Sequence, residues 1–184
     1  MMTFSTRWTA IVLCCAGLAS CAQTGTGTGI GVKGAHDSRA VQVTDPGKAQ
    51  CVNTTSGQNS HGAAATNAVR RNAGLPPVQP DPVLARVAAQ HACDMAQRGR
   101  MTHIGSKTAG PGPRVKAAGY APLVTAENIA AGPFSQERVL AEWNASGGHR
   151  ANMLIPQVRD YGIGQAIGPD GRTRFWAAVY AAPR

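Results

Sequence analysis

Three polar residues could do chemistry in this chain: His103, Glu127 and His149. Each lies at the edge of a predicted helix or strand, where side chains from distant segments can converge. Two neutral imidazoles and one carboxylate can hold a divalent ion, with zinc as the leading candidate. Without a metal, Glu127 could hydrogen-bond one imidazole and raise its pKa, which leaves a general base. A buried polar network with only a structural role is the alternative to both.

One helix is predicted from Asp81 onward. Asp81 is an N-cap with Pro82 at the first helical position, and apolar residues then repeat on one face as far as Met95. His91 falls in the middle of this apolar face. We therefore interpret His91 as a buried core histidine rather than as a ligand.

A second helix is predicted from Ser135, its N-cap, to the glycine pair at 147–148. Val139 and Trp143 share its apolar face, and Ser146 lies one turn further on. The other predicted elements are helices over 62–72 and 114–118, a strand over 126–130, a helical turn over 149–154, and a hairpin with strands over 161–167 and 173–181. Helices first and strands last indicate an α+β fold with an antiparallel sheet.

The first 20 residues have the features of an export signal. Arg7 supplies a positive charge, and an apolar stretch of eleven residues follows from Trp8 to Leu18. The sequence Leu-Ala-Ser-Cys at 18–21 looks like a bacterial lipobox, in which Cys21 is linked to diacylglycerol and then N-acylated. Two or three acyl chains would anchor the protein stably to a membrane. Ordinary secretion, with cleavage at a small residue, is the alternative.

Residues 21–60 are predicted to form a lipid-anchored, flexible tether before a domain at 61–184. The segment is rich in Gly, Thr, Ser, Asn and Gln and has too little apolar surface to offset the entropy of ordering. No apolar run in the chain reaches the roughly 18 residues of a spanning helix. The sequence thus predicts an exported protein that is anchored to a membrane and faces the periplasm or the cell surface. Ala22 after Cys21 points to the outer membrane if the organism has one.

The five cysteines reduce to one pair after processing. Cys14 and Cys15 leave with the signal and Cys21 carries lipid, so Cys51 and Cys93 remain in an oxidising compartment. We predict that these two form a disulfide, which would stabilise the fold by roughly 4 kcal/mol in the chain-entropy model. Two buried free thiols are the alternative. With the cysteines bonded and no HExxH, GxSxG, Walker or SxxK motif in the sequence, no nucleophile is evident.

The chain is basic, with 18 Lys and Arg against 9 Asp and Glu. No acidic residue lies between Met95 and Ala126, whereas five basic residues do: Arg98, Arg100, Lys107, Arg114 and Lys116. Because these residues bracket His103, we expect an electropositive approach that favours anionic envelope polymers or lipids. A solvated basic face with no partner is the alternative. Nucleic acid is not favoured, since the basic residues lack interleaved aromatic side chains for base stacking.

Several segments resemble, in the same order, the bacterial SCP-like branch of the CAP superfamily (cysteine-rich secretory, antigen 5 and pathogenesis-related 1 proteins). The matching strings are NAVRRNAGLPPV (67–78), LARVAAQHACDMA (84–96), MTHIG (101–105), AGY (118–120), AENIAAG (126–132), EWNASGGHRANMLIP (142–156), YGIGQAI (161–167) and RFWAAVY (174–180). They extend over most of the predicted domain. The resemblance implies a three-layer α-β-α sandwich with a central antiparallel sheet.

The resemblance also implies a cleft around two histidines and two acidic residues. His103 in THIG and His149 in GHR match the histidines, and Glu127 in AEN matches the first glutamate. The second glutamate of animal and plant members falls three residues after the helical tryptophan, where this chain has Ser146. Some members bind a metal between the histidines. The expected site is therefore His-Glu-Ser-His, with His103 and His149 as metal ligands and Glu127 as a further ligand or an orienting residue.

Three functions remain open from the sequence. The first is an exported, lipid-anchored binding module of the bacterial cell envelope, whose His/Glu cleft takes a divalent metal or an anionic or lipidic ligand. The second is a metal-dependent hydrolase of envelope polymers, peptide or nucleic acid. The third is a structural or stress-related surface protein without an active cleft. The missing second carboxylate and the missing nucleophile favour the first, and enzymatic turnover is left undecided.

Overall fold

The computed structural model describes residues 37–184, so the predicted signal peptide and Cys21 lie outside the described residues. The helices are α1 (Ser56–Asn72), α2 (Pro82–Arg98), α3 (Pro111–Ala117), α4 (Gln136–Ala145) and α5 (Gly147–Met153). The strands are β1 (Val41–Gln42), β2 (Gln50–Cys51), β3 (Gln79–Pro80), β4 (Arg100–Met101), β5 (Pro122–Gly132), β6 (Asp160–Ile167) and β7 (Arg174–Pro183). None of the helices in this part of the chain has the length and hydrophobicity that crossing a bilayer would require.

The predicted helix starts are confirmed at two N-caps. The side chain of Asp81 accepts a hydrogen bond from the backbone amide of Leu84, and that of Ser135 accepts one from the amide of Arg138. The predicted hairpin is also present, with β6 and β7 joined by a turn over residues 168–173. These elements could be predicted because caps and tight turns are local signals.

A five-stranded sheet forms the middle of the fold. Its order is β2-β6-β7-β5, every pairing along this path is antiparallel, and β3 adds a short parallel pairing to β6. β5 and β7 pair from Pro122 through Gly132. The strand that carries Glu127 is therefore bonded along most of its length to one of the most buried strands of the sheet.

The residues of β7 alternate between the two faces of this sheet. One face packs against α2 and α3 and takes from β7 the side chains of Phe175, Ala177, Val179 and Ala181. The other packs against α1, α4 and α5 and takes from β7 Trp176, Ala178 and Tyr180. A strand that is buried on both faces carries a continuous apolar run. The two cores confirm the three-layer α-β-α sandwich.

Two glycines of β6 allow α2 to lie directly on the sheet. A Cβ at Gly162 would come within 2.1 Å of the carbonyl carbon of Leu84, and one at Gly164 within 2.2 Å of the amide nitrogen of Ala89. Both distances are far below van der Waals contact, so a side chain at either position would push α2 away. The close approach fixes the helix whose C-terminal end leads towards His103.

The segment before α1 differs from the predicted flexible tether. β1 pairs with β4, and β2 pairs with β6. α1 also begins earlier than predicted, because Thr55 and Gln58 form a capping box in which each side chain bonds to the backbone amide of the other. The predicted boundary at residue 60 is therefore corrected, since residues 37–60 belong to the folded domain. We call residues 37–51 the N-terminal arm.

Cys51 and Cys93 form the predicted disulfide, with their Cα atoms 5.1 Å apart. The bond joins the end of the N-terminal arm to α2, across 42 residues of sequence. The arm is thus attached covalently to the helix that precedes His103.

Candidate functional site

Glu127 lies on β5 at the centre of the site, and only 4% of the residue is exposed. Arg114 Nη2 donates to its Oε1, and His103 Nδ1 lies 2.9 Å from its Oε2. Burial raises the pKa of Glu127, but the hydrogen bond from His103 and the charge and hydrogen bond of Arg114 outweigh it and hold the pKa below its usual value. Glu127 is therefore ionised at neutral pH, and both carboxylate oxygens are engaged.

The contact with Glu127 defines the tautomer of His103. An ionised carboxylate can only accept hydrogen bonds, so His103 Nδ1 carries the proton and donates it. In a neutral imidazole the other nitrogen, Nε2, then keeps a free lone pair. The side chain is 34% exposed, so the ring can be reached from solvent. The bond to Glu127 thus fixes the tautomer in which a neutral His103 ring presents Nε2 to a cation or to a hydrogen-bond donor.

Arg114, on α3, bonds to both residues, since its Nη1 also donates to the backbone oxygen of His103 at 2.9 Å. Arg114 is one of the five basic residues that bracket His103 in the sequence, and in the structure its charge is paired with that of Glu127. Arg98 is likewise paired, with Nη2 2.7 Å from a carboxylate oxygen of Asp94. The acidic partners lie just outside the stretch that lacks acidic residues. The predicted electropositive approach is therefore weaker than the sequence indicated.

His91 is buried as predicted, with 1% of the residue exposed, but it also belongs to the site. Its Nε2 lies 2.9 Å from the backbone oxygen of Thr102 and 3.6 Å from Glu127 Oε2. Burial lowers the pKa of His91 to about 4, although the charge of Glu127 opposes the shift. The ring is therefore neutral, and its Nε2 donates to Thr102. His91 was predicted from the sequence as a core residue rather than a ligand, whereas the structure places it directly against Glu127.

His149 lies on α5, in the other helical layer. Its backbone oxygen accepts a hydrogen bond from Asn128 Nδ2 at 3.0 Å, and its ring centroid lies 6.4 Å from that of Trp143. Burial lowers the pKa of His149, and the charges of His103 and Arg39 lower it further. The helix of His149 is linked to β5 at Asn128, the residue after Glu127. The convergence of the His103, Glu127 and His149 side chains stays a prediction.

Two asparagines connect the strand of Glu127 to the helix of His149. Asn152 Nδ2 donates to the backbone oxygen of Glu127 at 3.1 Å and to Asn128 Oδ1 at 2.8 Å. Asn128, which is fully buried, also donates to the hydroxyl of Tyr180 at 3.3 Å. Neither asparagine was predicted from the sequence as a residue of the site. Their signals were an amide side chain inside a predicted buried strand and an asparagine three residues after His149, on the same helical face.

Ser146 ends α4 and precedes α5, and it is half-buried. Its backbone amide donates to the oxygen of Glu142, and its backbone oxygen accepts from the amide of Arg150. Its hydroxyl does not cap α5. The location of the hydroxyl beside the two imidazoles stays a prediction.

A cation held between His103 and His149 stays a prediction. Within residues 37–184, no three side chains of His, Cys, Asp and Glu are grouped as a metal centre would require. Each carboxylate oxygen of Glu127 accepts a hydrogen bond, one from Arg114 and one from His103. A carboxylate bonded to Nδ1 of a histidine is the usual orienting partner of a metal-bound imidazole. The role of Glu127, as a further ligand or as an orienting residue, stays a prediction.

The three-layer sandwich and the buried Glu127 bonded to His103 define the protein's class, which is that of the CAP, or SCP, domains. The description "Cysteine-rich secretory protein family" (CAP) matches residues 63–180, and the chain belongs to this family. YkwD, an uncharacterized protein of Bacillus subtilis, is 32% identical over 126 residues, which are 65% of this chain and 49% of YkwD. The chain thus spans about half the length of this relative.

Two solved structures are similar in fold. An extracellular protein containing an SCP domain from Bacillus anthracis has a TM-score of 0.61 and 26% identity, covering 68% of this chain and 40% of that one. An outer surface protein from Borrelia burgdorferi has a TM-score of 0.63 and 17% identity, covering 75% of this chain and 99% of that one. At 17% identity the second likeness shows the fold alone.

Proposed function

We propose that this chain is an exported CAP-domain protein of the cell envelope that binds a divalent cation, zinc first, between His103 and His149. The observation that carries this proposal is the hydrogen bond between His103 Nδ1 and Glu127 Oε2, at 2.9 Å. In the neutral ring, that bond places the proton on Nδ1 and leaves the lone pair of Nε2 for a metal ion. Nitrogen donors of this kind suit zinc.

Each residue has a distinct part in this proposal. His103 and His149 would hold the cation, Glu127 orients the ring of His103, and Arg114 keeps Glu127 ionised. A cation bound there would supply positive charge for a phosphate, a carboxylate or a lipid headgroup. Two protein ligands predict weaker binding than a structural zinc site with four.

Binding is favoured over turnover. Among the hydrogen bonds of residues 37–184, that of the His103 ring goes to Glu127, and none joins it to a hydroxyl or a thiol that could serve as a nucleophile. A metal-dependent hydrolase would need such a group or an activated water. No contact in the described residues favours hydrolysis over binding.

The proposed location is the cell envelope, with Cys21 as the lipid anchor. The relative from Bacillus anthracis, which is 26% identical, is described as extracellular, and this supports export. Asp37, which bonds to the amide of His103, follows Cys21 by sixteen residues. Sixteen extended residues span at most about 55 Å. An anchor at Cys21 would therefore keep the site within that distance of the bilayer, where lipid headgroups are the nearest anionic ligands.

Calorimetric titration with zinc tests the cation site. We expect the unmodified mature protein to take up one zinc ion and the double variant His103→Ala, His149→Ala to take up none. His61→Ala is the matched control, because His61 is an exposed histidine on α1. Equal uptake by the wild type and the double variant would refute the site. A double variant that no longer folds would instead support the purely structural role of the network.

A separate experiment tests the anchor. Cys21→Ser should release the protein from membranes, because the thiol that accepts the lipid is gone. Mass spectrometry of the mature N-terminus decides the question. An unmodified residue 21, or cleavage at another position, would contradict the proposed anchor without affecting the cation site.

A further inference from the structure

We propose that the N-terminal arm completes the site, with Asp37 as the positioning residue of His103. The inference rests on the proposed function for its meaning, since it assigns a further residue to the same site. Asp37 precedes the stretch that matches the family, which begins at residue 63. The site would therefore include a part of this chain that a domain starting at residue 61 lacks.

The first observation is the pair of hydrogen bonds at the carboxylate of Asp37. Its Oδ2 accepts from the backbone amide of His103 at 2.7 Å and from the hydroxyl of Thr102 at 2.7 Å. Its Oδ1 accepts from the backbone amide of Arg39 at 3.0 Å. Hydrogen bonds to a charged acceptor are the stronger kind. One side chain of the arm thus holds the amide of the Thr102–His103 peptide and the side-chain hydroxyl of Thr102.

The second observation is that His103 is then fixed from three directions. Asp37 holds its amide, Arg114 holds its backbone oxygen at 2.9 Å, and Glu127 holds Nδ1 of its ring at 2.9 Å. The hydroxyl of Thr102 also accepts from the amide of Ile104 at 3.1 Å. The bond to Asp37 is the one of these that connects the arm to His103. Without it, the turn that carries His103 would lose its restraint on the side of the arm.

The third observation is that the arm is itself secured. β1 pairs with β4 immediately before Thr102, in the register Val41 with Met101. At the other end of the arm, Cys51 is bonded to Cys93 of α2. Asp37 therefore lies four residues before a segment that is tied at Val41 and at Cys51 to the two elements that precede His103. A side chain on a rigid support positions a ligand more precisely than one on a free loop.

The experiment compares Asp37→Ala with Asp45→Ala in the full mature chain. Asp45 lies on the same arm and is exposed, so its removal makes the same change in charge. In metal-free protein, we expect Asp37→Ala to speed hydrogen exchange of the His103 amide by about tenfold or more, as the loss of a bond to a charged group predicts. It should also shift the ring nitrogen resonances of His103 in ¹⁵N NMR. In the zinc titration, affinity should fall by about tenfold.

Asp37→Asn separates positioning from folding. An asparagine oxygen can still accept from the His103 amide, so this variant should restore most of the protection of that amide and of the ring resonances. If Asp37→Ala behaves like Asp45→Ala in amide exchange and ring resonances, the inference is overturned. Two further variants decide the question if Asp37→Ala fails to fold. The inference is supported if the His103 amide and ring signals are unaltered in Asp37→Asn while the His103 amide is unprotected from exchange in Thr102→Val. It is overturned if the His103 amide is protected from exchange in both variants. Wild-type protein that takes up no zinc would refute the proposed function, while the metal-free measurements still decide the role of Asp37.

Discussion

The two histidines of the site are held by different kinds of groups. His103 belongs to a wall of charged residues, in which Glu127 bonds to its ring and Arg114 to its backbone oxygen. His149 is held through its backbone oxygen by the neutral amide of Asn128. We call Glu127, Arg114 and His91, which surround His103, the charged wall. We call Asn128 and Asn152, which link β5 to the helix of His149, the amide wall. The contrast predicts that breaking the charged wall lowers the free energy of unfolding more than breaking the amide wall does. The amide wall should act mainly on the position of the helix that carries His149.

Removing Arg114 should have the largest effect, because it leaves the buried carboxylate of Glu127 without its guanidinium. We expect Arg114→Ala to lower the free energy of unfolding by about 3 to 5 kcal/mol, as for other buried pairs that lose one partner. Arg98→Ala is the control. It breaks a pair whose side chains are 31% and 21% exposed, and should cost about 1 kcal/mol or less.

Urea unfolding of the two variants checks this contrast. The charged wall would lose its special status if Arg114→Ala and Arg98→Ala had equal effects.

The pH dependence of stability should come next, through His91. Burial lowers the pKa of His91 to about 4, against about 6.5 in the unfolded chain. As the pH falls from 6.5 towards 4, the unfolded state binds a proton that the folded state does not. His91 should therefore reduce the free energy of unfolding by about 3 kcal/mol over that window, and contribute no further change below it.

The variant His91→Gln isolates this contribution. An amide can donate to the backbone oxygen of Thr102 as the imidazole does, but it does not titrate. The wild type should therefore lose stability relative to the variant as the pH falls from 6.5 towards 4. A difference that is the same at pH 7 and at pH 4 would mean that His91 titrates as it does in the unfolded chain.

Breaking the amide wall should cost less. Asn152→Ala removes two hydrogen bonds between neutral groups and should lower the free energy of unfolding by about 1 to 2 kcal/mol. Amide exchange in α5 should become faster, while the exchange of the His103 amide stays unchanged. Asn144→Ala, at an exposed position on α4, is the control. Faster exchange at His103 in Asn152→Ala would show that the two walls are one network.

Local signals explain what could be predicted of the fold. The caps at Asp81 and Ser135 and the hairpin turn are encoded within a few residues. The start of α1 was missed, although Thr55 and Gln58 form a capping box, because the surrounding composition indicated a tether. The arm could not be predicted, since its strands are two residues long and depend on partners far along the chain.

The site shows the same division. His103, Glu127 and His149 were predicted as site residues from their motifs, but the residues that hydrogen-bond to them belong to other elements. The helical periodicity correctly predicted that His91 is buried. It carries no information, however, on the strand that packs against that face of α2. Asp37 bonds to a residue 66 positions away, a separation at which no spacing rule applies. Contacts of this kind follow from the packing of α2 and the arm on the sheet, which the sequence pattern specifies only as apolar or polar.

The smallest expected effect lies at the edge of the amide wall, on the pKa of His149. Burial, then the charge of His103 and then that of Arg39 lower this pKa, so Arg39→Gln should raise it. NMR titration of the His149 ring in metal-free protein measures the change, with Arg150→Gln, an exposed neighbour, as control. Because Arg39 is exposed, added salt should screen its charge. The difference between wild type and Arg39→Gln should therefore diminish at high ionic strength. A difference that persists in salt would assign the shift to a change in the burial of the ring, and the arm would then act on His149 by packing rather than by charge.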